Sequence, residues 1–428
     1  MIFHGNIHIL KIKKDICRQM NSKQKLVVIG GGAAGFFAAI TAAENNPDLA
    51  IIILEQGNEV LGKVKISGGG RCNVTHACFD VKELVKFYPR GSKELVGPFY
   101  TFNCEHTVDW FNHHQVALKT ESDGRMFPVS NRSQTIIDCF IQQCHVLKIE
   151  INKHAKVTHI EKQDTYKVFF NDKCINADYI LLASGSSNTI WNMLKKLGHQ
   201  IISPVPSLFT FTIKNELIKN LEGVSVSNVQ CKLLDSNIAT SGSILITHTG
   251  LSGSSILKLS AFAAREMNAR NYQFNIEINW ISIRLQDAIQ VLKNAKQTFP
   301  KKNISNLAVF DLPHRLWQSV LAINGIKYEK NVADLSNNDI QNIAQTLTQS
   351  KLQVTSKNTN KDEFVTAGGI DLKEVDFKTM ESKVLDNLFF AGEILNIDAV
   401  TGGFNFQAAW TTGNIAGTSI AERSTNYK

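Results

Sequence analysis

Short hydrophobic runs separated by glycine dominate the start of the sequence. Residues 26–29 are β-forming, residues 30–35 are rich in glycine, and residues 36–44 are rich in alanine and suit a helix. The stretch from 26 to 43 carries no charge and is long enough to suggest a membrane helix or a signal anchor. Three successive glycines would weaken such a helix, so we predict a strand, a turn and a helix instead.

The same pattern returns later in the chain. Residues 50–54 form a second buried-strand run, and residues 388–390 form a third one. A helical pattern over residues 406–422 follows the third run after a glycine-containing turn. The two ends of the chain therefore share one style of strand, turn and helix.

The middle of the chain has a different pattern of hydrophobic and polar residues. It begins where Pro204 and Pro206 interrupt the pattern. Residues 272–280 alternate between hydrophobic and polar without a fault, which predicts a half-buried antiparallel strand. From residue 283 to residue 352 the hydrophobic spacing is largely helical. We therefore predict an inserted β unit followed by a helical unit.

The first glycine turn has the chemistry of a nucleotide site. Gly30, Gly32 and Gly35 fit the spacing GxGxxG between a strand and a helix. Gly30 would allow the tight turn, Gly32 would leave room for a pyrophosphate, and Gly35 would let the helix approach the sheet. The helix start offers free N–H groups to phosphate, and Glu55 at the end of the second strand can accept hydrogen bonds from ribose hydroxyls.

The far end of the chain favours FAD over a nicotinamide cofactor. The third strand run ends in Gly392 and Glu393, and residues 401–405 lead into the last helix. A flavin spanning the sheet explains this second motif, because an acid can bond its ribityl chain and a helix start can face the ring's pyrimidine edge. The alternative is an ordinary helix-entry loop.

The most distinctive strings in the sequence are GKVKISGGGRCNVT at residues 62–75 and TGGFNFQ at residues 401–407. They resemble strings of the bacterial YhiN/HI0933-like flavoprotein family. THTGLSG at 247–253 and TAGGI at 366–370 add to the resemblance, which covers most of the chain from about residue 25. Members are described as NAD(P)/FAD-dependent or aminoacetone-oxidase-like oxidoreductases. The resemblance thus implies FAD and redox chemistry, without fixing the substrate.

The resemblance also implies a set of cofactor-binding residues. Those expected on the adenosine half are Gly30, Gly32, Ala33, Ala34, Gly35, Glu55, Gln56 and, by analogy with glutathione-reductase-like flavoproteins, Val157. Those expected beside the pyrophosphate and flavin are Lys63, Ser67, Gly68, Gly69, Arg71, Cys72, Asn73, Ala183, Ser184, Gly185, Gly392, Glu393, Gly402, Gly403, Phe404 and Asn405.

The fold class that follows is α/β. We expect a glutathione-reductase-like Rossmann FAD-binding domain, split by an inserted antiparallel β-barrel or sheet and a helical subdomain. The predicted boundaries are an extension outside the fold at 1–24, the first part of the FAD domain at 25–200, the β insertion at 201–282, the helical subdomain at 283–355 and the second part of the FAD domain at 356–428.

Composition excludes several other classes. With 43% hydrophobic and 20% charged residues among 428, the chain is an ordinary globular protein rather than a disordered or polytopic one. Its eight cysteines are too sparse for a disulfide scaffold, so we expect reduced thiols and a cytoplasmic location. Three of the eight net positive charges lie in residues 1–19, so the charge predicts neither a nucleic-acid partner nor a membrane surface.

Three residues are candidates for catalysis, and two of them have a structural alternative. His248 follows a β-like run and could serve as an acid or base, although a lone histidine is commonly structural. Cys72 lacks a CxxC partner, which excludes dithiol exchange and leaves a lone redox thiol or simple packing beside the flavin. Asn405 is a candidate by position only.

The leading functional hypothesis is hydride transfer between flavin N5 and a small organic substrate. NADH or NADPH is a candidate transient co-substrate at the flavin face, because no second GxGxxG follows a strand. An oxidase reoxidised by O₂, a flavin-dependent RNA-modifying enzyme and a non-catalytic flavin-binding protein are the alternatives. The sequence indicates neither a metal site nor an oligomeric state.

Overall fold

The computed structural model describes residues 23–358 and 365–425. The predicted extension at residues 1–24 lies outside the described residues except for its last two positions. The strands are β1 Lys25–Ile29, β2 Ala50–Leu54, β3 Thr75–His76, β4 Leu118–Thr120, β5 Arg125–Pro128, β6 Glu150–Asn152, β7 Val157–Lys162, β8 Tyr166–Phe170, β9 Lys173–Ala177, β10 Tyr179–Leu182, β11 Ile201–Ser207, β12 Thr210–Thr212, β13 Ser225–Leu233, β14 Ala239–Thr247, β15 Gly250–Ser252, β16 Phe274–Asn279, β17 Ser350–Val354, β18 Ser356–Asn358, β19 Val365–Ile370, β20 Val375–Asp376, β21 Glu381–Ser382 and β22 Leu388–Phe390.

The α-helices are distributed among these strands along the chain. They are α1 Ala33–Asn45, α2 Gly62–Gly70, α3 Val81–Leu84, α4 Val96–Thr101, α5 Cys104–His113, α6 Ser133–Val146, α7 Asn188–Lys196, α8 Ser254–Phe262, α9 Ala264–Ala269, α10 Leu285–Thr298, α11 His314–Ile323, α12 Asn337–Thr348 and α13 Phe404–Thr425.

A seven-stranded sheet of order β20-β21-β22-β10-β1-β2-β6 forms the Rossmann domain. Its strands from β22 to β6 are parallel, with β1 between β10 and β2. β1 and β2 are almost wholly buried, which explains why they read as continuous hydrophobic runs. β22 comes from the far end of the sequence, so both ends of the chain build one domain, as predicted.

Helices α1 and α13 cover this sheet together and cross at very short range. A Cβ atom on Gly417 would lie 2.5 Å from the Ala38 carbonyl oxygen, and one on Gly413 would lie 2.9 Å from that of Ala34. Glycine is required at this crossing because any larger residue would push the helices apart. The first and last helices of the described chain are therefore packed as a pair.

The insertion is a second unit with its own core. Seven antiparallel strands of order β17-β16-β13-β14-β15-β12-β18 pack with α8 and with helices α10 to α12. Phe274, Ile276 and Ile278 on β16 are buried, which confirms the strand predicted from the alternating pattern.

The end of the predicted helical stretch is different in the structure. Residues 350–352 belong to strand β17, which pairs with β16. Ser350, Leu352 and Val354 are buried on alternate positions, so a period-two pattern begins where α12 ends. After the helical unit, the chain therefore returns to the inserted sheet as strand β17.

The two proline residues at the start of the insertion lie in a strand. Pro204 and Pro206 are part of β11, which forms a two-stranded antiparallel ribbon with β19. The pairing register shifts between Ile202 and Val205, which accommodates residues that lack an N–H. The ribbon therefore pairs the predicted start of the insertion at 201 with residues 365–370. Residues 356–358 still belong to the inserted sheet, as strand β18.

The uncharged stretch near the start forms β1 and α1, as predicted. Within residues 23–358 and 365–425, the helices are too short or too polar to cross a bilayer.

Candidate active site

The first corner has the geometry that a dinucleotide requires. Gly30 has a φ of +116°, and a Cβ there would lie 2.4 Å from the Ala183 carbonyl oxygen. A Cβ on Gly35 would lie 2.1 Å from the Gly30 carbonyl oxygen. Around Gly32, by contrast, a Cβ would meet no atom within 4 Å, and no side chain caps the start of α1 there. Open space therefore lies in front of free helix N–H groups, which fits a pyrophosphate.

Glu55 is fixed beside this corner. Its carboxylate accepts hydrogen bonds from the N–H of Gly31 at 2.8 Å and from that of Gly57 at 2.7 Å. Its carbonyl oxygen accepts the Ala155 N–H, so buried Val157 lies just beyond the same corner. Each carboxylate oxygen has a further lone pair for a ribose hydroxyl. Gln56 next to it is exposed.

The ends of β10 and β22 meet at a second cluster. Lys63 forms an ion pair with Glu393, whose other oxygen accepts the Thr366 N–H at 3.0 Å. A Cβ on Gly185 would lie 3.8 Å from the Glu393 carboxylate. Ser184 has a buried hydroxyl without a hydrogen-bond partner. The structure thus brings together residues that the sequence places far apart.

The loop at residues 67–73 is open and unusual in its backbone. Gly68 and Gly69 have φ values of +58° and +69°, which interrupt helix α2. A Cβ on Gly69 would meet nothing within 4 Å, so this loop also borders open space. Arg71 lies over the Phe127 ring at 4.0 Å and bonds Glu121 at 2.6 Å. The Arg71 charge is therefore already paired.

Cys72 and Asn73 anchor this loop inside the domain. Cys72 is fully buried, and burial raises the pKa of its thiol to about 12. With its amide oriented to satisfy its neighbours, Asn73 accepts the Gly403 N–H at 2.9 Å and donates to the Thr75 carbonyl at 3.1 Å. Asn73 therefore ties the loop to the start of α13.

The start of α13 is shaped by a second pair of glycines. Gly402 and Gly403 have φ values of +136° and +92°, and a Cβ on Gly403 would lie 2.5 Å from the Thr75 carbonyl oxygen. Asn405 closes the preceding loop, accepting the Ala399 N–H at 2.9 Å and donating to the Ala399 carbonyl at 3.0 Å. Both polar atoms of the Asn405 amide are therefore already bonded to the backbone of Ala399.

The three catalytic candidates lie in different settings. His248 is exposed in the turn between β14 and β15 of the inserted sheet. Cys72 and Asn405 lie in the Rossmann domain, and the raised pKa of Cys72 keeps its thiol neutral near pH 7. A catalytic role stays a prediction for all three.

His76 is a site residue that sequence reasoning missed. Its ring stacks on Phe404 at 4.6 Å, and its Nε2 lies 3.1 Å from the Asp123 carbonyl oxygen. Nδ1 is buried without a partner, and burial lowers the pKa of the ring, so it is neutral near pH 7. The only signal in the sequence was its position directly after the string at residues 62–75.

A buried ion pair beside this site was also missed. Arg90 bonds both carboxylate oxygens of Asp398, which is fully buried. Arg90 also donates to the Ala261 carbonyl at 2.7 Å, and Ser207 donates to Asp398 at 2.8 Å. Burial raises the pKa of Asp398, although Arg90 opposes this. The group joins the insertion to the loop before Gly402.

A separate cavity of about 270 Å³ lies in the inserted domain. It is lined mainly by uncharged amide and hydroxyl side chains together with Leu217, Ile323 and Leu352. None of the predicted cofactor residues lines it.

These features define a class of protein. A parallel sheet with a glycine corner, an acid after the next strand, and a second glycine-to-helix entry returning from the end of the chain form a Rossmann-type FAD-binding domain. The chain belongs to the HI0933-like protein Rossmann domain family, whose profile matches residues 24–419. The resemblance noted in the sequence is confirmed.

Curated relatives match over most of their lengths. The chain is 24% identical to a ribosomal RNA dihydrouridine synthase of Escherichia coli over 85% of this chain and 90% of the relative. It is also 24% identical to a 3-dehydro-bile acid delta(4,6)-reductase of Clostridium scindens, over 89% and 95%. Among solved structures, a flavocytochrome c3 fumarate reductase matches with a TM-score of 0.43 and 15% identity, over 97% and 81%.

Proposed function

We propose that the protein is an FAD-dependent reductase that saturates a carbon–carbon double bond conjugated with a carbonyl group. The observation that carries the proposal is that two relatives are named for reactions of the same chemical kind. Dihydrouridine arises when the ring double bond next to a uracil carbonyl takes up two hydrogens. A delta(4,6)-reductase of a 3-dehydro bile acid acts on double bonds conjugated with a ketone. The two substrates differ, but the bond that changes is of one kind.

The residues of the site fit FAD. The open space at Gly32 and the free N–H groups of α1 would take the pyrophosphate, and Glu55 would take the adenosine ribose. Glu393 would take the ribityl chain, with Lys63 as its counter-ion. When bound, FAD supplies a hydride equivalent at N5.

The protein's own groups restrict the chemistry further. Cys72 is fully buried and burial raises the pKa of its thiol, which disfavours thiol–disulfide exchange. The described residues contain one strand-to-helix corner of the GxGxxG type, so we propose that NADH or NADPH reduces the flavin from the substrate side. The electron count then balances, because oxidation of one NADH or NADPH releases the two electrons that reduction of one double bond consumes.

Two kinds of substrate carry the required group. A free enone is one candidate, and it falls within the class of small organic substrates expected from the sequence. Uridine in ribosomal RNA is a second candidate, and the relative named as a ribosomal RNA dihydrouridine synthase favours it specifically.

The test is an anaerobic reoxidation assay. The FAD-loaded protein is reduced with NADH or NADPH and mixed either with ribosomal RNA lacking dihydrouridine or with a steroid enone. We expect flavin absorbance to return with one of these acceptors and the product mass to rise by two hydrogens. Reoxidation by O₂ alone, with neither acceptor changed, would refute the proposal and point to an oxidase.

A further inference from the structure

Arg265 lies where the insertion meets the loop that enters α13. It is near the start of α9, and its guanidinium donates to the Ser203 carbonyl at 3.3 Å and to the Asn396 side-chain oxygen at 3.4 Å. Both bonds are long and both acceptors are uncharged. Asn396 is in the same loop as Asp398, and this loop leads directly to Gly402.

The carboxylate that acts electrostatically on Arg265 is already bonded by other groups. Asp398 is fully buried and bonded on both oxygens by Arg90, with Ser207 as a third donor. One carboxylate thus faces two guanidinium groups, and no carboxylate in residues 23–358 or 365–425 lies within ion-pair distance of Arg265. Two guanidinium groups therefore share a single carboxylate at the junction.

The electrostatics favour an anionic partner for this guanidinium. Burial lowers the pKa of Arg265, and the adjacent Arg90 lowers it further. An arginine has five N–H donors, and Arg265 makes only the two long bonds. Arg265 is only partly buried and stays exposed overall, so an oxygen of a ligand can reach it. Its acceptor Asn396 lies three positions after Glu393 in the chain.

We propose that Arg265 binds the carbonyl oxygen of the substrate and stabilises the negative charge that forms there. The inference rests on the proposed function. When the hydride adds to the carbon β to the carbonyl, the electron pair of the double bond moves to the oxygen and forms an enolate. A proton from solvent then adds at the α carbon and restores the carbonyl. Arg265 supplies charge and two-point geometry, not the proton.

The first experiment measures anion binding without turnover. The oxidised FAD-loaded protein is titrated with 4-hydroxybenzaldehyde at mildly alkaline pH, where this phenol is an enolate-like anion, and the flavin absorbance is followed. We expect Arg265→Met to raise the Kd about tenfold or more, and Arg265→Lys to raise it less, because one charge-assisted bond is lost or weakened.

Arg270 is the matched control. It directly follows the same helix, but its guanidinium donates to the Leu234 and Asp235 carbonyls at 3.0 and 3.3 Å, within the insertion. Arg270→Met should bind the phenolate like the unmodified protein. Melting temperature and FAD content, measured for every variant, separate a folding defect from a binding defect.

The second experiment measures the reaction. Reoxidation of the reduced flavin by the accepted substrate should slow about a hundredfold in Arg265→Met, the size of effect seen when an oxyanion donor is removed. Reoxidation by O₂ should be unchanged. Unchanged phenolate binding in Arg265→Met, or no phenolate binding by the unmodified protein, would overturn the inference.

Two further outcomes separate the inference from its neighbours. If no conjugated carbonyl is reduced but Arg265→Met still loses phenolate binding, the proposed function fails and the anion site stands. If Arg265→Met loses only its reaction with NADPH while NADH and phenolate behave normally, Arg265 binds the nucleotide phosphate and the inference is wrong.

Discussion

Replacing Arg90 by methionine tests how the two units of the chain are joined. The change leaves the Asp398 carboxylate fully buried with only the Ser207 hydroxyl as a donor. Removing one partner of a buried ion pair costs about 3–5 kcal/mol of unfolding free energy. Arg265 is close enough to act on Asp398, so we expect the lower end, about 3 kcal/mol. This is a large part of the 5–15 kcal/mol that stabilises a typical protein.

The assay is urea unfolding of the apoprotein, followed by circular dichroism and tryptophan fluorescence. The double variant Arg90→Met with Asp398→Leu should recover at least half of the loss, because it removes the unpaired charge as well. Non-coincident transitions in Arg90→Met would show that the insertion and the Rossmann domain have become uncoupled. If the unfolding free energy of Arg90→Met lay within about 1 kcal/mol of that of the unmodified protein, the reasoning would be refuted, since a buried unpaired carboxylate destabilises a protein by more than this.

Three other perturbations have definite expected results. Gly32→Val should lower FAD affinity at least about a hundredfold in a fluorescence titration while leaving apoprotein stability within about 0.5 kcal/mol, because its Cβ meets open space. Gly417→Ala should destabilise by about 1–3 kcal/mol in urea, since its Cβ would lie 2.5 Å from the Ala38 carbonyl oxygen. Lowering the pH from about 7.5 to about 5.5 should reduce the urea midpoint, and reduce it less in His199→Gln, because burial lowers the pKa of His199 and the unfolded chain takes up the proton first.

Each of these results has a control. Gly97→Ala, at an exposed position of helix α4 with nothing within 4 Å of its Cβ, should change stability by less than about 0.5 kcal/mol, because the gain in helix propensity is offset by the restriction on a residue before Pro98. An equally small effect of Gly417→Ala would contradict the tight helix crossing. Loss of apoprotein stability in Gly32→Val would show that the space is filled by the protein itself. An unchanged pH response in His199→Gln would mean that other groups carry the acid sensitivity.

The parallel sheet and its glycine corner were predictable because their signals are local. A buried parallel strand is a continuous hydrophobic run, and the spacing of Gly30, Gly32 and Gly35 is written within six residues. The strand at residues 274–279 was equally visible, since alternation alone marks a half-buried face.

The junction could not be predicted because its parts are far apart in sequence. Arg90 and Asp398 are separated by 308 positions, and each is an isolated charge in a loop. Strand β17 was missed because its buried positions directly continue those of helix α12. Pro204 and Pro206 suggested a break, but an edge ribbon tolerates residues without an N–H. The burial of His76 likewise depends on Phe404, from the other end of the chain.

The pairing of α1 with α13 has a consequence for the order of synthesis. Strand β1 and helix α1 leave the ribosome several hundred residues before β22 and α13. Strand β22 extends the parallel sheet beyond β10, and helix α13 packs beside α1 on that sheet. The insertion has its own core, and all strands of its sheet lie between β10 and β22 in the sequence. It can therefore fold before β22 and α13 of the Rossmann domain have been synthesised. During that interval β10 exposes an unpaired edge, which is the stage at which the nascent chain is most open to aggregation or to a chaperone.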